Sequence, residues 1–378
     1  MLPKICSIWT EWNQNEIRRR GNLYGALGYY RNIKPAEFLK EYQVDTYGRT
    51  ISKFGSTSEE AWPKVAQEYD LIHIRYADNA RSVSDLLAMA EHFNKPVLMD
   101  IDDDLFSLEE SNPAYEEYKE GSRARAVMAA TMACVDGITV STEPLKESIF
   151  NHLKEKHGIE PKIFVLPNCN DKNDWKLRKK KVGSSVVIGW HGSITHNADL
   201  DSVIPALNII LEKYKHVYIE ILGGITQGYT DDFLKKFGNN AYRVKVNYNG
   251  TPSWAGFPEL LASQEWDIGI APVIDSKFNQ SKSHIKWMEY ASIGIPCVAS
   301  KVYPYFTPIQ GVETIVDGKT GYVAGTTEEW VEKLGQLVTN QELREQIGRN
   351  AKNYIDENWQ WSSHIHKWKE VYDYFIKK

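Results

Sequence analysis

The sequence predicts an α/β protein built from two doubly wound, Rossmann-like domains. Three observations lead there. Short apolar runs alternate with stretches of helical periodicity, the alternation pauses once near the middle, and 378 residues suffice for two domains at roughly 150 residues each. The runs are residues 5–9, 71–74, 96–101, 137–140, 163–166, 186–190, 217–222, 268–273 and 295–299. Most are rich in β-branched residues, and strands of this kind separated by helical stretches such as 82–92, 200–214 and 327–337 imply βαβ units and parallel sheets. The pause is NCNDKNDWKLRKKK at 168–181, followed by Gly183-Ser184-Ser185; its turn residues and basic run mark a boundary. The expected organisation is a domain at 1–170, a linker at 171–184, a second domain at 185–355 and a terminal helical segment at 356–378.

Composition narrows the function. Hydrophobic residues make up 42% and charged residues 25%, so the chain can bury an ordinary core, and wholesale disorder is excluded. Lys and Arg number 45 against 50 Asp and Glu, a net charge of −5 that gives no global attraction to nucleic acid or anionic lipid. Cys6, Cys134, Cys169 and Cys297 lie far apart, with no CxxC and no zinc spacing, as expected of reduced thiols in a cytoplasmic protein. The start, MLPKICSIWTEWNQNE, turns polar before any signal-peptide core forms, and no window approaches the ~18 apolar residues of a membrane span. Only peripheral membrane contact stays open.

The strongest motif is NQSKSHIKWMEYASIGIPCVAS at 279–300. Ser281 is placed to cap a helix running to about Ser292, Gly294 to end it, and 295–299 to be the next strand. At ~100° per residue, Lys282, Lys286 and Glu289 share one face. Two lysines four apart repel, unless an anion sits at the helix N-terminus, where free N–H groups already favour phosphate. Glu289, further down that face, can then accept from ribose hydroxyls. The alternative is a solvated Lys286–Glu289 ion pair on an amphipathic helix.

This helix, Gly-Ile-Pro, strand and the later GVETIVDGKTGYVAG at 311–325 resemble the nucleotide-sugar-binding domain of GT-B glycosyltransferases, especially the retaining family 4. The resemblance covers most of 185–361, including LVTNQELREQIGRNAKNYIDENWQW, and is much weaker over the N-terminal half. It implies a GT-B fold, two Rossmann-like domains facing a central cleft, with the 356–378 helix packing back on the first domain through Trp359, Trp361 and Trp368. In that family a glutamate opening this segment and a second one eight positions later contact the donor sugar and the ribose. Glu289 matches the second; Ser281 stands in place of the first, and Lys282 and Lys286 take over part of that site's work. Asp317-Gly318 and Gly321 also suit a tight turn between two short strands. The GKT there is no Walker A motif, because Glu313 occupies the position of the required first glycine.

Other candidates sit where strands are expected to end. IGWHGSITH at 188–196 offers Gly192 for close backbone approach and Ser193 to line a diphosphate or donor sugar, with His191 and His196 beside them. Gly223-Gly224 and Ala271-Pro272 fall at equivalent ends. In the first half, the loop carrying Arg18-Arg19-Arg20 runs into GALGYYRNIKP, which places Gly28 and Arg31 on the acceptor side. MDIDDDL at 99–105 puts Asp100, Asp102, Asp103 and Asp104 at or beyond a strand end. Adjacent carboxylates must be solvated, paired or bound to a cation; acceptor recognition or base catalysis by Asp102 and Asp103, helix capping, and a metal site are the alternatives, with Arg75 placed to neutralise one acid.

The reading is a glycosyltransferase that moves a sugar from a nucleotide-diphosphate donor to a carbohydrate or other hydroxyl acceptor. Retention follows from the resemblance alone. Lys282 and Lys286 stabilise the departing diphosphate, Gly192, Ser193, His191, Gly223 and Glu289 hold the donor, and Asp103 is the base if the enzyme inverts. No cofactor or divalent metal is expected. The rival readings are a DNA-modifying transferase using Arg18–Arg20 and the 176–181 cluster, a non-catalytic nucleotide-sugar-binding protein, and an epimerase of the same fold.

Overall fold

A computed structural model describes residues 2–9, 25–48, 54–55, 57–75, 79–178, 183–225, 227–247 and 254–377. The chain divides into two compact units. One comprises Met1–Leu108, Tyr115–Cys169 and Trp361–Lys378; the other comprises Glu109–Ala114 and Asn170–Gln360.

In the first unit β1 (Lys4–Trp9), β2 (Gln43–Gly48), β3 (Leu71–Arg75), β4 (Val97–Ile101), β5 (Gly137–Val140) and β6 (Ile163–Val165) form one sheet, ordered β2-β1-β3-β4-β5-β6 and parallel throughout. In the second, β7 (Val186–Gly192), β8 (Val217–Gly223), β9 (Val244–Asn247), β10 (Ile268–Ala271), β11 (Cys297–Ser300) and β12 (Tyr322–Ala324) form another, ordered β12-β11-β10-β7-β8-β9 and again parallel. Every run predicted from the sequence is a strand. Two strands that the sequence reading missed, β2 and β9, are sheet edges. An edge strand is half solvated, so QVDTYG and VKVN lack the apolar run that marks a central strand. Of the two short strands expected around the 317–321 turn, the structure has the second, β12; before it Asp317 and Gly321 meet only in an isolated bridge, with Gly318 at φ +73°.

The helix expected at 356–378 runs Trp361–Ile376, after a helix at Gln341–Asn358. Trp361, Trp368, Val371, Tyr372 and Phe375 join Ile5, Leu71 and Leu98 in the core of the first unit. Trp359 falls on the other side of the division: it is buried in the second unit, its ring 4.0 Å from that of His284 and its Nε1 donating to the Glu313 carbonyl. Residues 171–178, read as linker, likewise pack into the second unit. Trp175 is buried against Trp254 and Phe257, and Arg178 donates to the Trp266 carbonyl at 2.6 Å, because an indole and a long apolar stem inside a basic run still seek cover. Arg18–Arg20 and Lys179–Lys181 lie outside the described residues.

A buried charge pair organises the first unit. Arg31, fully buried on a single π-turn at Tyr29–Ile33, donates from Nη2 to Asp100 Oδ1 at 2.6 Å and from Nε to both carboxylate oxygens; Nη1 reaches the Leu166 carbonyl and Asn168 Oδ1. Burial pushes the Asp100 carboxyl up, but the Arg31 guanidinium outweighs it and holds the group below the usual carboxylate range. Replacing Arg31 with Met leaves that carboxylate buried without its main partner. The variant is expected to lose about 3–5 kcal/mol in guanidinium unfolding at neutral pH. Because protonating Asp100 removes the stranded charge, the deficit relative to wild type shrinks as pH falls through the carboxylate range.

Candidate functional site

Open parallel sheets bind ligands beyond the carboxyl ends of their strands, where the strand order reverses. In the second unit the chain steps from β7 to β8 to β9 and then returns to β10 on the other side of β7, so the reversal lies between β7 and β10. At the end of β7 Trp190 is fully buried, and two glycines close on its indole. A Cβ on Gly192 would stand 2.6 Å from Trp190 Cζ2, and one on Gly224 would stand 2.6 Å from Cη2. Gly224, at φ +70°, and Gly223, at φ +75°, also need a backbone that side chains disfavour. Gly223 pairs in register with Gly192, so the ends of β7 and β8 lie side by side with no Cβ between them.

The motif helix begins later than its sequence implies. Ser281 is the C-cap of a short helix, Lys277–Gln280, and gives its hydroxyl to the Lys277 carbonyl at 3.1 Å; the next helix runs Ile285–Ser292 with His284 at its N-cap, and Gly294 follows it at φ +76°. Ser276 caps the start of that short helix by accepting from the Asn279 N–H at 3.3 Å, so Ser281 falls at its end instead of opening the next helix. Lys282 therefore stands in the segment before the helix, its ammonium 4.3 Å from the centroid of Phe278, rather than on a face shared with Lys286 and Glu289.

Lys286 is in the first turn of Ile285–Ser292. It is 9% exposed, and its Nζ lies 4.8 Å from the Trp190 ring centroid with no hydrogen bond or ion pair among the described residues. Burial lowers its pKa to about 8, against the pull of Asp199 and Glu289. A solvated Lys286–Glu289 pair is thereby excluded, since Glu289 is also buried and its Oε2 faces His191 Nε2 at 3.3 Å. Burial, and after it Lys286, holds His191 well below its ordinary value, so that ring is neutral.

One carboxylate that sequence reasoning did not single out connects these parts. Asp199, buried in the first turn of the Asn197–Lys213 helix, accepts at Oδ1 from the Ile274 N–H and from Asn279 Nδ2, both at 2.8 Å, and at Oδ2 from His196 Nδ1 at 2.8 Å. Asn279 Oδ1 and Trp190 Nε1 are likewise buried without a hydrogen bond among the described residues, as is Lys286 Nζ. The signal for Asp199 was its place three residues after His196 at a helix start, a spacing that brings two side chains onto one face. Ser193 Oγ bonds Thr195 Oγ1 at 2.6 Å on an exposed turn.

The chain has known relatives. Residues 208–370 match the family described as "Glycosyl transferase-like". The match covers less than half of the chain. It is similar to the capsular polysaccharide biosynthesis glycosyltransferase CapM of Staphylococcus aureus, 24% identical over 266 residues that cover 65% of this chain and 64% of CapM. The chain thus spans less than two thirds of that relative's length. Among solved structures it resembles sucrose-phosphate synthase from Thermosynechococcus elongatus, with a TM-score of 0.65 at 12% identity over 99% of both chains. It also resembles Anabaena Alr3699/HepE in complex with UDP, with a TM-score of 0.63 at 12% identity over 98% of this chain and 100% of that one. The fold is GT-B.

In this GT-B chain the acceptor-side candidates of the first half are placed differently from the donor-side ones. Arg31, expected to offer its charge to an acceptor or phosphate, is consumed by Asp100 in the interior, and Gly28 is buried in the helical turn before it. Arg75 is fully buried on β3, in register with Asp100 on β4, where it adds to the field that Arg31 sets. Asp102 is buried and accepts from Asn168 Nδ2 at 3.3 Å, Asp104 accepts from Ser148 Oγ at 2.6 Å, and Asp103 is half-buried between them. The acidic run is thus divided among separate partners; among the described residues no three His, Cys, Asp or Glu side chains are placed to share a metal ion. Nor is any described helix long and apolar enough to cross a membrane. The glycine contacts at the end of β7 are open to test: Gly192→Ala must push Trp190 off its seat, with an expected cost of about 1–3 kcal/mol in thermal unfolding, whereas Gly228→Ala, where a Cβ meets nothing, is expected to be neutral.

Proposed function

We propose that this protein is a nucleotide-sugar-dependent glycosyltransferase, and that the end of β7 with the start of the Ile285–Ser292 helix is its donor site. The observation that carries this is the Lys286 ammonium: a cation held in the interior with no hydrogen bond or ion pair among the described residues, on the first turn of a helix whose free N–H groups favour anions, at the point where the sheet order reverses. UDP in the similar Alr3699/HepE supports a nucleoside diphosphate as the occupant. In this reading Lys286 and the helix start offset the charge that collects on the β-phosphate as the bond from the sugar carbon to its oxygen breaks. Glu289, one turn below, accepts the ribose hydroxyls. Gly192, Gly223 and Ser193 let the donor approach the strand ends, and Lys282 adds charge from the preceding segment. The acceptor is a carbohydrate or other hydroxyl compound, transfer retains the anomeric configuration, no divalent metal takes part, and the reaction belongs to the cytoplasm.

Three measurements test this. In calorimetry with UDP, Lys286→Met is expected to weaken binding by at least about tenfold, and Glu289→Gln by a similar factor, since a hydrogen bond to a charged group is worth ~1.5–3 kcal/mol. Unchanged affinity in both would remove the site assignment. Wild-type affinity should fall as pH rises through about 8, where the free Lys286 loses its proton, and the fall should be absent in Lys286→Arg. Transfer should survive a chelator, and NMR of the product should show the donor's anomeric configuration; an inverted product would instead make Asp103 the base to test by Asp103→Asn.

A further inference from the structure

The donor site contains a titratable pair that the reaction as described leaves unused. His196 closes the short turn Ile194–His196 directly after β7, and Asp199 follows in the first turn of the next helix. One oxygen of Asp199 is occupied by the Ile274 N–H and Asn279 Nδ2, so the other is free to meet His196 Nδ1 at 2.8 Å. Burial raises the Asp199 carboxyl, but the bond from His196, the Ile274 N–H and the field of Lys286 outweigh it and keep the group ionised. A carboxylate can only accept, so Nδ1 carries the hydrogen in that bond, and in the neutral ring Nε2 is left as a lone pair. The charged groups around the ring are Asp199 on the following helix, Lys286 on Ile285–Ser292 and Lys282 in the segment before it. Burial and then the two lysines press the ring toward its neutral form, down to about 4, against Asp199.

A diphosphate settling beside Lys286 reverses the sign of that field. We propose that His196 is a proton-coupled phosphate ligand: the diphosphate binds together with one proton from solvent, which His196 accepts at Nε2 and donates as a hydrogen bond to a phosphate oxygen, while Asp199 holds the ring through Nδ1. This rests on the donor site proposed above. An Asp-held imidazole differs from a lysine or arginine in the same place. Those would grip the anion at any physiological pH, whereas His196 releases its proton as the nucleoside diphosphate leaves, which makes donor binding and product release sensitive to pH below the range in which Lys286 titrates.

The test is calorimetry on the full chain with UDP and with inorganic pyrophosphate between about pH 5.5 and 7, in buffers of different ionisation heat. Wild type is compared with His196→Asn, which keeps an amide donor toward Asp199 but cannot titrate, and with His196→Lys, which keeps a permanent charge. The probe's own ionisation is common to all three. Wild type is expected to take up about one more proton than either variant, and its affinity to fall about tenfold more per pH unit across that window. His196→Lys should bind with no added pH dependence. If wild type binds UDP with the proton count and pH slope of His196→Asn, the proton coupling is wrong and the donor site stands. If wild type binds neither probe at any pH, the donor site is wrong and the proposal falls with it. Should His196→Asn fail to fold, the wild-type and His196→Lys comparison decides the same question.

Discussion

Asp199 receives hydrogen bonds from the backbone after β10, from the helix that precedes the motif and from the turn after β7. The first two lie 75 and 80 residues from Asp199 in the chain, and a buried carboxylate needs such donors to stay ionised in the interior. Its three bonds thus hold the loops at the ends of β7 and β10 in fixed relation. The glycines around Trp190 and the late start of the Ile285–Ser292 helix matter because that frame exists. Without it, Lys286 would have no reason to remain buried over an indole.

The two units treat buried charge in opposite ways. In the first, Arg31 and Asp100 satisfy one another, and Thr139 and Asn168 take up the remaining valences: Thr139 Oγ1 donates to Asp100 Oδ1 at 2.6 Å and faces His73 Nε2 at 3.0 Å. Such a network is closed, and a closed network is a structural element. In the second, Lys286 is buried over an aromatic face, with Asp199 and Glu289 in its field but no hydrogen bond among the described residues. A cation left in that state costs stability, which is reasonable where a ligand completes it. The difference separates the arginine that sequence reasoning placed at an acceptor from the lysine it placed at a phosphate. Both are buried cations on helical turns, and only their partners tell them apart.

Much of the architecture was legible because parallel central strands are buried on both faces and must be written as continuous apolar runs, as in VLMDI for β4 or IGIA for β10. The edge strands β2 and β9 were not, since QVDTYG and VKVN are half polar. Helix boundaries near the motif also escaped. Ser276 and Ser281 are both good caps by residue type, and only the fold around Asn279 decides which of them is used.

The sequence by itself determined the alternation of strands and helices, the positions of Lys286 and Glu289 at a helix after β10, and the glycines that let strand ends approach one another; these depend on local pattern, periodicity and the absence of a Cβ. The tertiary structure alone decided which charges are closed off and which are left open. Arg31 lies 69 residues from Asp100 in the chain, and Asp199 lies 80 from Asn279, so neither partnership has a local signature. Pairing across such distances is set by sheet order and by the cost of an unpaired charge in the interior, and it assigns Arg31 to the core and leaves the Lys286 ammonium without a hydrogen bond or ion pair among the described residues.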